Sequence, residues 1–298
     1  MVMIHAVAPS NINLVLKVIR RRQDGYHEIE SLFVPFQEPG DELQLEIIDD
    51  NTNAISLTPD TALVPSDLSN LAGRAAAEYC RTAGITDSIA IRLKKRIPVA
   101  AGMGGGSADA ATVLSTLQKY YCALSEKALA ALALSLGADV PFFLRPEPAI
   151  CRGIGEIFEP LGKGFPPLPA LIVNPGFPIR AAWAYQHADP SRFGELPSFH
   201  LPELLQAWRA NDFEGVAHLL HNDLAFGCYA KFPILRLIRD FLLRSGAVGV
   251  NITGSGPTIF AIASNSNEAG RICTEVQSAF PFCFSCCLQQ YKIGKADC

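Results

Sequence analysis

Apolar and polar residues alternate along three segments of the first half of the chain, at residues 12–19, 43–47 and 89–93. A period of two is typical of a β-strand that buries one face. We therefore expect sheet segments there, each with one face toward solvent.

Helical periodicity follows at residues 113–121 and 129–136, where apolar positions recur every three or four residues. Ser125 is suited to open the second helix and Gly137 to close it. Residues 159–169 contain four prolines and two glycines, which predicts a domain junction. The pattern predicts an α+β fold with two domains, residues 1–158 and 159–298.

The second half has its own series of elements. We expect helices near residues 202–209, 213–220 and 233–245, the last closed by Gly246. We expect strands at residues 171–174, near 247–253 and 258–263, and after Phe282.

Composition excludes several classes of protein. Of the 298 residues, 49% are hydrophobic and 18% charged, against about 25% charged in an average soluble protein, so the chain is not disordered. The formal net charge of −4 offers no basic surface for nucleic acid or anionic membrane. No uninterrupted apolar run approaches a membrane span, and the first ten residues lack a secretory signal. We expect a cytoplasmic protein with neither nucleic-acid nor membrane partners, of undetermined oligomeric state.

Nine cysteines are scattered through apolar segments, which favours reduced core thiols over a disulfide framework. Cys283, Cys286 and Cys287 form a cluster that suggests a metal site. A zinc site, however, needs a second pair of ligands at suitable spacing. We therefore predict no metal site, and the role of the cluster stays open.

The most informative segment is residues 98–112, where Gly102, Gly104, Gly105 and Gly106 precede a helix. Glycines let backbone N–H groups converge, and a helix N-terminus adds a positive dipole end, so the segment predicts a polyphosphate site. It is not a Walker A loop, and Ser107 replaces the third glycine of a dinucleotide fingerprint. The alternative is a tight packing turn.

Asp139 lies among apolar residues just beyond a predicted helix end. Such a carboxylate can accept a proton from, or orient, a hydroxyl that attacks a γ-phosphate. The alternative is a carboxylate that binds backbone N–H groups around the Pro141 turn.

Two polar features lie near the N-terminus. Asn11 and Asn13 share one face of an apolar strand and need hydrogen-bond partners, which a ligand can supply. In residues 20–28 an Asp-Gly turn presents Tyr26 and His27, which can stack on a base. The alternative is a hairpin tip with solvated arginines.

A second glycine turn, residues 253–258, lies between two apolar strands. It can meet a phosphate from the other side, although a simple hairpin turn is the better explanation of this segment taken alone.

Five of these segments, in this order, resemble the galactokinase, homoserine kinase, mevalonate kinase and phosphomevalonate kinase (GHMP kinase) superfamily. They are Ala8-Pro9 with Ile12-Asn13-Leu14, Asp24-Gly25-Tyr26-His27-Glu28, the segment 102–112, Gly137-Ala138-Asp139-Val140-Pro141-Phe142-Phe143 and Gly254-Ser255-Gly256-Pro257-Thr258. The combination is similar to the branch that phosphorylates a cytidylyl methylerythritol. The resemblance implies a two-domain α+β fold with the active site in the interdomain cleft, ATP and Mg²⁺ as cofactors, and transfer of the γ-phosphate to the acceptor's 2-hydroxyl.

The resemblance also assigns roles. Asp139 would be the base or the group that orients the hydroxyl, with Asn11 beside it. Asn13 would bind the methylerythritol. The cytosine would be bound by Tyr26, His27 and Tyr185. Asn70 would lie by the adenine. The ATP phosphates would be held by Pro98, Val99, Ala100, Ala101, Gly102, Met103, Gly104, Gly105, Gly106, Ser107 and Ala108, with Ser107 near the metal-bound phosphate oxygens.

The sequence departs from the family pattern at Asn11, where the family has a lysine. An amide supplies a hydrogen-bond donor without the charge, and the loss of one such group commonly lowers turnover ~10²- to 10³-fold. Arg20, Arg21, Arg22 and Lys95 are candidate substitute cations. The alternatives are a GHMP kinase with another acceptor and a nucleotide-binding protein that has lost catalysis.

Overall fold

Two β-sheets organise the part of the chain that the computed structural model describes, residues 1–188, 191 and 201–291. The strands in these residues are β1 (Val2–Arg21), β2 (His27–Ile48), β3 (Ile55–Pro59), β4 (Ser88–Lys94), β5 (Ala149–Gly153), β6 (Ile157–Pro160), β7 (Ala170–Asn174), β8 (His221–Asn222), β9 (Gly249–Ile252), β10 (Ile259–Ile262), β11 (Phe284–Cys287) and β12 (Gln289–Gln290). The helices are α1 (Leu71–Ala83), α2 (Gly105–Tyr121), α3 (Glu126–Leu136), α4 (Val140–Leu144), α5 (Ala181–Gln186), α6 (Leu201–Arg209), α7 (Phe213–His218), α8 (Ala225–Lys231), α9 (Pro233–Arg244) and α10 (Ser266–Ala279).

The first sheet is built around the long antiparallel pair β1 and β2. Strand β1 is longer than the alternating segment 12–19 predicts, because it is paired from Val2 to Arg21. The outer edge of β2 pairs in turn with β5, β12 and β4, and β3 lies parallel to β4. Strand β8 adds a short parallel pairing to β1.

Helices α1 to α4 pack with this sheet around one core. The buried face of α1 includes Ala72, Ala75 and Ala76, whose small side chains allow the helix to approach α2 closely. Helix α3 begins and ends as predicted: the Ala128 N–H donates to Ser125 Oγ at 3.3 Å, and Gly137 caps the C-terminus. These contacts fix the segment that precedes Asp139.

The second sheet has the order β11-β7-β10-β9 and is antiparallel throughout. Helix α9 packs on it through Leu235, Ile238 and Leu242, and α10 through Ile272 and Val276. The strands and helices predicted for the second half are all found, with boundaries within a few residues.

A third core joins the two halves. It combines Ile12 and Phe36 of the first sheet with Ile172 and Phe260 of the second, and includes the fully buried Trp208. Strands β8 and β12 come from the second half of the chain but pair in the first sheet, and β6 spans the predicted boundary at residue 158. The division into residues 1–158 and 159–298 stays a prediction.

Candidate active site

The glycine segment forms a loop between β4 and α2, and its backbone is shaped to expose N–H groups. Ala100, Gly102 and Gly104 adopt left-handed conformations with φ of 51°, 73° and 69°. Gly104 is the N-cap of α2, and among the described residues no side chain is hydrogen-bonded to the first N–H groups of this helix. Three N–H groups of the first turn also lack intrahelical partners, so the helix start is available to an anion.

The second glycine turn connects β9 and β10, which confirms the hairpin alternative, and it packs directly on the loop. A Cβ on Gly102 would overlap the Thr253 carbonyl oxygen, and one on Gly254 would lie 2.9 Å from the Gly102 oxygen. The fully buried Thr253 hydroxyl accepts the Asn13 N–H at 3.0 Å and lies 3.0 Å from the Gly102 oxygen, to which it can donate. The loop is thereby fixed against both sheets.

A cavity of about 340 Å³, here called the loop cavity, is lined by residues 98–107. Ala108, the last residue assigned to the phosphates, does not line it, because its side chain is fully buried in the core. Asn70 does line it, but its Oδ1 accepts the Ala72 N–H at 3.0 Å and its Nδ2 donates to the Pro65 oxygen. Asn70 therefore caps α1 at the edge of this cavity.

A larger cavity of about 710 Å³, here called the cleft cavity, lies between the halves of the chain. The two cavities share Gly102, Gly104 and Ser107, so they meet across the glycine loop. The cleft cavity is lined by all the residues predicted for catalysis and acceptor binding, which are Asn11, Asn13, Tyr26, His27, Asp139 and Tyr185.

Asp139 lies at the turn between α3 and α4, half-buried in the cleft cavity. Its carboxylate has no hydrogen-bond partner in the part of the chain that the structure describes, so it does not bind the backbone around the Pro141 turn. Burial raises its pKa to about 6. The group is thus mostly ionised at neutral pH and free to accept a hydrogen bond.

The two asparagines of β1 differ in their surroundings. The Asn13 Nδ2 donates to Ser31 Oγ at 2.9 Å, and its Oδ1 lies 3.1 Å from Thr253 Oγ1, so its amide already holds the scaffold together. The side-chain amide of Asn11 has no partner among the described residues, although its backbone N–H donates to the Met103 oxygen at 3.2 Å. A Cβ on Gly104 would lie 2.5 Å from Asn11 Oδ1, so the glycine makes room for this amide.

Aromatic side chains line another part of the cleft cavity. The rings of His27 and Tyr185 stack with centroids 5.0 Å apart and an angle of 19° between their planes. Tyr26 follows the Asp24-Gly25 turn and is 60% exposed. Partial burial and the nearby Arg21 charge lower the pKa of His27, so its imidazole is neutral at pH 7.

The chain matches known proteins over nearly its whole length. Residues 70–146 match the family described as GHMP kinases N terminal domain, and residues 203–281 match GHMP kinases C terminal. A 4-diphosphocytidyl-2-C-methyl-D-erythritol kinase of Geobacter metallireducens is 36% identical over 263 residues, which cover 88% of this chain and 90% of the relative. The chain belongs to this kinase family.

Comparison with solved structures supports the same family. A crystal structure of 4-(cytidine 5'-diphospho)-2C-methyl-D-erythritol kinase superimposes with a TM-score of 0.81 and 36% identity, covering 97% of this chain and 100% of the other. A homoserine kinase from Cytophaga hutchinsonii gives a TM-score of 0.71 at 19% identity, covering 97% and 96%, which shows a shared fold. The GHMP kinase fold and a phosphotransferase activity that uses ATP are thereby established for this family member.

Below the glycine loop lies a buried charge cluster that sequence reasoning missed. Lys95 Nζ lies between the carboxylates of Asp41 on β2 and Asp109 on α2, 2.8 Å from the latter. Asp41 Oδ1 also accepts the N–H groups of Arg96 and Ile97, at 2.6 and 2.8 Å. The cluster therefore ties the start of the loop to the helix that follows it.

One signal for this cluster was present in the sequence. Asp109 stands among alanines on the buried face of α2, and burial raises its pKa. Its partners are 14 and 68 residues away along the chain, so the pairing itself could not be found from local pattern. Lys95 is occupied by two carboxylates, which makes it unavailable as a substitute for the family lysine.

The cysteine cluster lies away from both cavities. Cys283 precedes β11, and Cys286 and Cys287 lie on it. Burial raises the pKa of Cys283 to about 11 and that of Cys286 to about 12, so both are protonated thiols at neutral pH. In the described residues, no three His, Cys, Asp or Glu side chains are grouped to hold a metal ion, and no helix is long and apolar enough to cross a bilayer.

Proposed function

We propose that this protein transfers the γ-phosphoryl group of ATP to the 2-hydroxyl of 4-diphosphocytidyl-2-C-methyl-D-erythritol, with Mg²⁺ as the metal, in the non-mevalonate route to isoprenoid precursors. The relatives that carry this name support the reaction. We also propose a cytoplasmic location and two domains, residues 1–158 and 159–298, since the two family matches fall on either side of this boundary.

The observation that carries the proposal is the contact between the two cavities. A phosphoryl transfer needs an anion cradle and an acceptor site that meet at one point, because the attacking and leaving oxygens must stand in line. The loop cavity and the cleft cavity meet at Gly102, Gly104 and Ser107, and Asp139 lines the cleft side.

Asp139 orients the acceptor hydroxyl in this proposal. As the hydroxyl oxygen forms its bond to the γ-phosphorus and the bond to the β-phosphate oxygen breaks, the hydroxyl proton passes to the free carboxylate. Asn11, with an unpartnered amide, donates a hydrogen bond toward the transferring group but brings no charge. The backbone N–H groups at the start of α2 bind the donor phosphates.

The acceptor is recognised far from its reacting hydroxyl. Tyr26 and Tyr185 offer flat surfaces for a pyrimidine ring, and neutral His27 has one donor and one acceptor nitrogen for its edge. Binding energy from the base then positions the hydroxyl beside Asp139.

Mg²⁺ fits the residues present. In kinases this ion keeps several waters and is bound by substrate phosphates and few protein groups. Ser107 lies between the two cavities, and its hydroxyl has no hydrogen-bond partner among the described residues. Ser107 would therefore hold the ion, which would neutralise charge on the phosphate oxygens.

The test is a coupled assay of ADP release with three acceptors: the cytidylyl methylerythritol, homoserine and mevalonate. We expect Mg²⁺-dependent turnover with the first alone. Asp139→Asn should abolish most of this turnover, whereas Asp49→Asn, on an exposed carboxylate outside the cavities, should retain it.

Two other results would replace the proposal. Turnover of homoserine or mevalonate would indicate a GHMP kinase with a different acceptor. ATP binding by calorimetry without turnover of any acceptor would indicate a nucleotide-binding protein that lost catalysis with the lysine at position 11.

A further inference from the structure

Three consecutive arginines end β1 and begin the hairpin tip beside the cleft cavity, and two of them are already paired. Arg20 contacts Glu28 at 2.5 Å, and Arg22 contacts Asp24 at 2.9 Å. The guanidinium of Arg21 has no ion-pair or hydrogen-bond partner in the described residues. Arg21 also lines the cleft cavity, which Arg20 and Arg22 do not.

The charges around the cleft cavity are few. Among the described residues that line it, Arg21 is the only arginine or lysine and Asp139 the only carboxylate. Arg21 lies opposite His27 in the β1–β2 ladder, so the Arg21 charge lies near the aromatic part of the cavity. Asp139 by itself would repel an anionic acceptor, and Arg21 offsets that repulsion.

Arg21 is too far along β1 to replace the missing family lysine. It lies ten residues from Asn11 on the same strand, which at about 3.3 Å per residue is on the order of 30 Å of chain. An arginine side chain does not span such a length. The cation must therefore act on a part of the acceptor remote from the reacting hydroxyl.

We propose that Arg21 binds the diphosphate that links the cytosine end of the acceptor to its sugar alcohol, an inference that rests on the proposed function. A guanidinium suits this group because its fork of N–H donors matches phosphate oxygens and stays charged at every working pH. Arg21 thereby makes the diphosphate, as well as the base, a requirement for binding. It is a specificity residue for nucleoside diphosphates in the acceptor site.

The test compares CDP with cytidine as acceptor-site probes, measured by calorimetry with the loop cavity saturated by a non-hydrolysable ATP analogue. Wild type should bind CDP more tightly than cytidine. Arg21→Gln should reduce CDP affinity about 10- to 100-fold while cytidine affinity stays within about 2-fold. Arg21→Lys should recover part of the difference, and Arg20→Gln, which removes a neighbouring paired arginine, should keep the wild-type ratio.

Steady-state kinetics supply a second readout. In Arg21→Gln, the KM for the cytidylyl acceptor should rise by the same factor, while kcat and the KM for ATP change little. A merely structural role would affect both substrates.

The outcomes separate this inference from the proposed function. If wild type turns over the cytidylyl acceptor and Arg21→Gln keeps the wild-type ratio of CDP to cytidine affinity, the Arg21 assignment is wrong and the function stands. An equal loss of CDP affinity in Arg20→Gln also overturns it. If wild type neither binds CDP nor turns over the acceptor, the proposed function fails, and this inference fails with it.

Discussion

Replacement of Lys95 by methionine should destabilise the protein far more than the same change at Lys94, the preceding residue. Both lysines pair with neighbouring acids on β2, but in opposite environments. The side chains of Lys94 and Glu42 are 46% and 52% exposed, with 3.1 Å between Nζ and Oε1. Those of Lys95 and Asp41 are 7% and 0% exposed, and Lys95 also binds the buried Asp109.

The magnitudes follow from this difference in burial. Lys95→Met keeps the aliphatic volume but leaves two buried carboxyl groups without a cation, and breaking a buried ion pair in this way costs about 3–5 kcal/mol. Lys94→Met removes an exposed pair worth about 0–1 kcal/mol. Guanidinium unfolding monitored by circular dichroism should therefore show a midpoint shift for Lys95→Met several times larger than for Lys94→Met.

A second substitution tests the cause. Asp109→Asn in the Lys95→Met background removes a buried carboxyl group that has lost its cation and leaves Asp41, which still accepts the N–H groups of Arg96 and Ile97. The double variant should be more stable than Lys95→Met, with a coupling energy of about 0.5–3 kcal/mol. Equal destabilisation by the two lysine variants, or a double variant less stable than Lys95→Met, would refute the role assigned to this cluster.

Three further predictions concern the active site. Because burial raises the pKa of Asp139 to about 6 and only the ionised form can accept the hydroxyl proton, kcat/KM should fall as pH drops below about 6 and level off above it. A pH–rate profile without this acidic limb, or with the same limb in Asp139→Asn, would contradict the role of Asp139 as proton acceptor. Asn11→Lys should raise kcat by up to ~10²- to 10³-fold in the coupled assay, since a charge then faces the transferring phosphoryl group, and an unchanged kcat would count against it. Gly106→Leu should leave the unfolding midpoint nearly unchanged, because a Cβ there meets only Leu71, at 3.7 Å. It should weaken ATP binding in calorimetry, because a side chain would stand at the start of α2. Full ATP affinity in the folded variant would show that Gly106 is not part of the phosphate site.

Some elements could be predicted because local pattern and capping residues agree there. Ser125 and Gly137 bound α3 as predicted, because an N-cap hydroxyl and a C-terminal glycine act on their own helix. Helix α1 was overlooked although Asn70 caps its start, Gly84 ends it, and its buried positions recur at helical spacing. Helix α10 carried a signal that was overlooked: Asn265 caps it, and Ala269, Ile272, Cys273 and Val276 are buried at helical spacing.

The candidate site was predictable in its parts but not in its assembly. Motifs located Asp139, Asn11 and the glycine loop because each has an unusual residue in an otherwise apolar segment. No local pattern could show that Lys95 is neutralised by Asp41, or that Asn13 is bound to Thr253, 240 residues away. Such pairings depend on how distant strands meet in the fold.

The late position of the short strand β12 in the chain determines how long one edge of β2 stays unpaired during synthesis. Strand β12 fills the gap on the outer edge of β2 between β5 and β4, where Gln289 pairs with Glu38, about 250 residues earlier in the chain. At about 5–20 residues per second on the ribosome, that edge waits on the order of 10–50 s for its partner. During this interval its unpaired N–H and C=O groups are open to strands of other nascent chains.

The residues of β2 at this gap disfavour pairing with other chains before β12 is synthesised. Glu38 brings a charge, and Pro39 has no N–H to donate, so another chain gains little by pairing there. The gap in β2 is therefore a position where the mature sheet closes last and where the sequence itself discourages premature association.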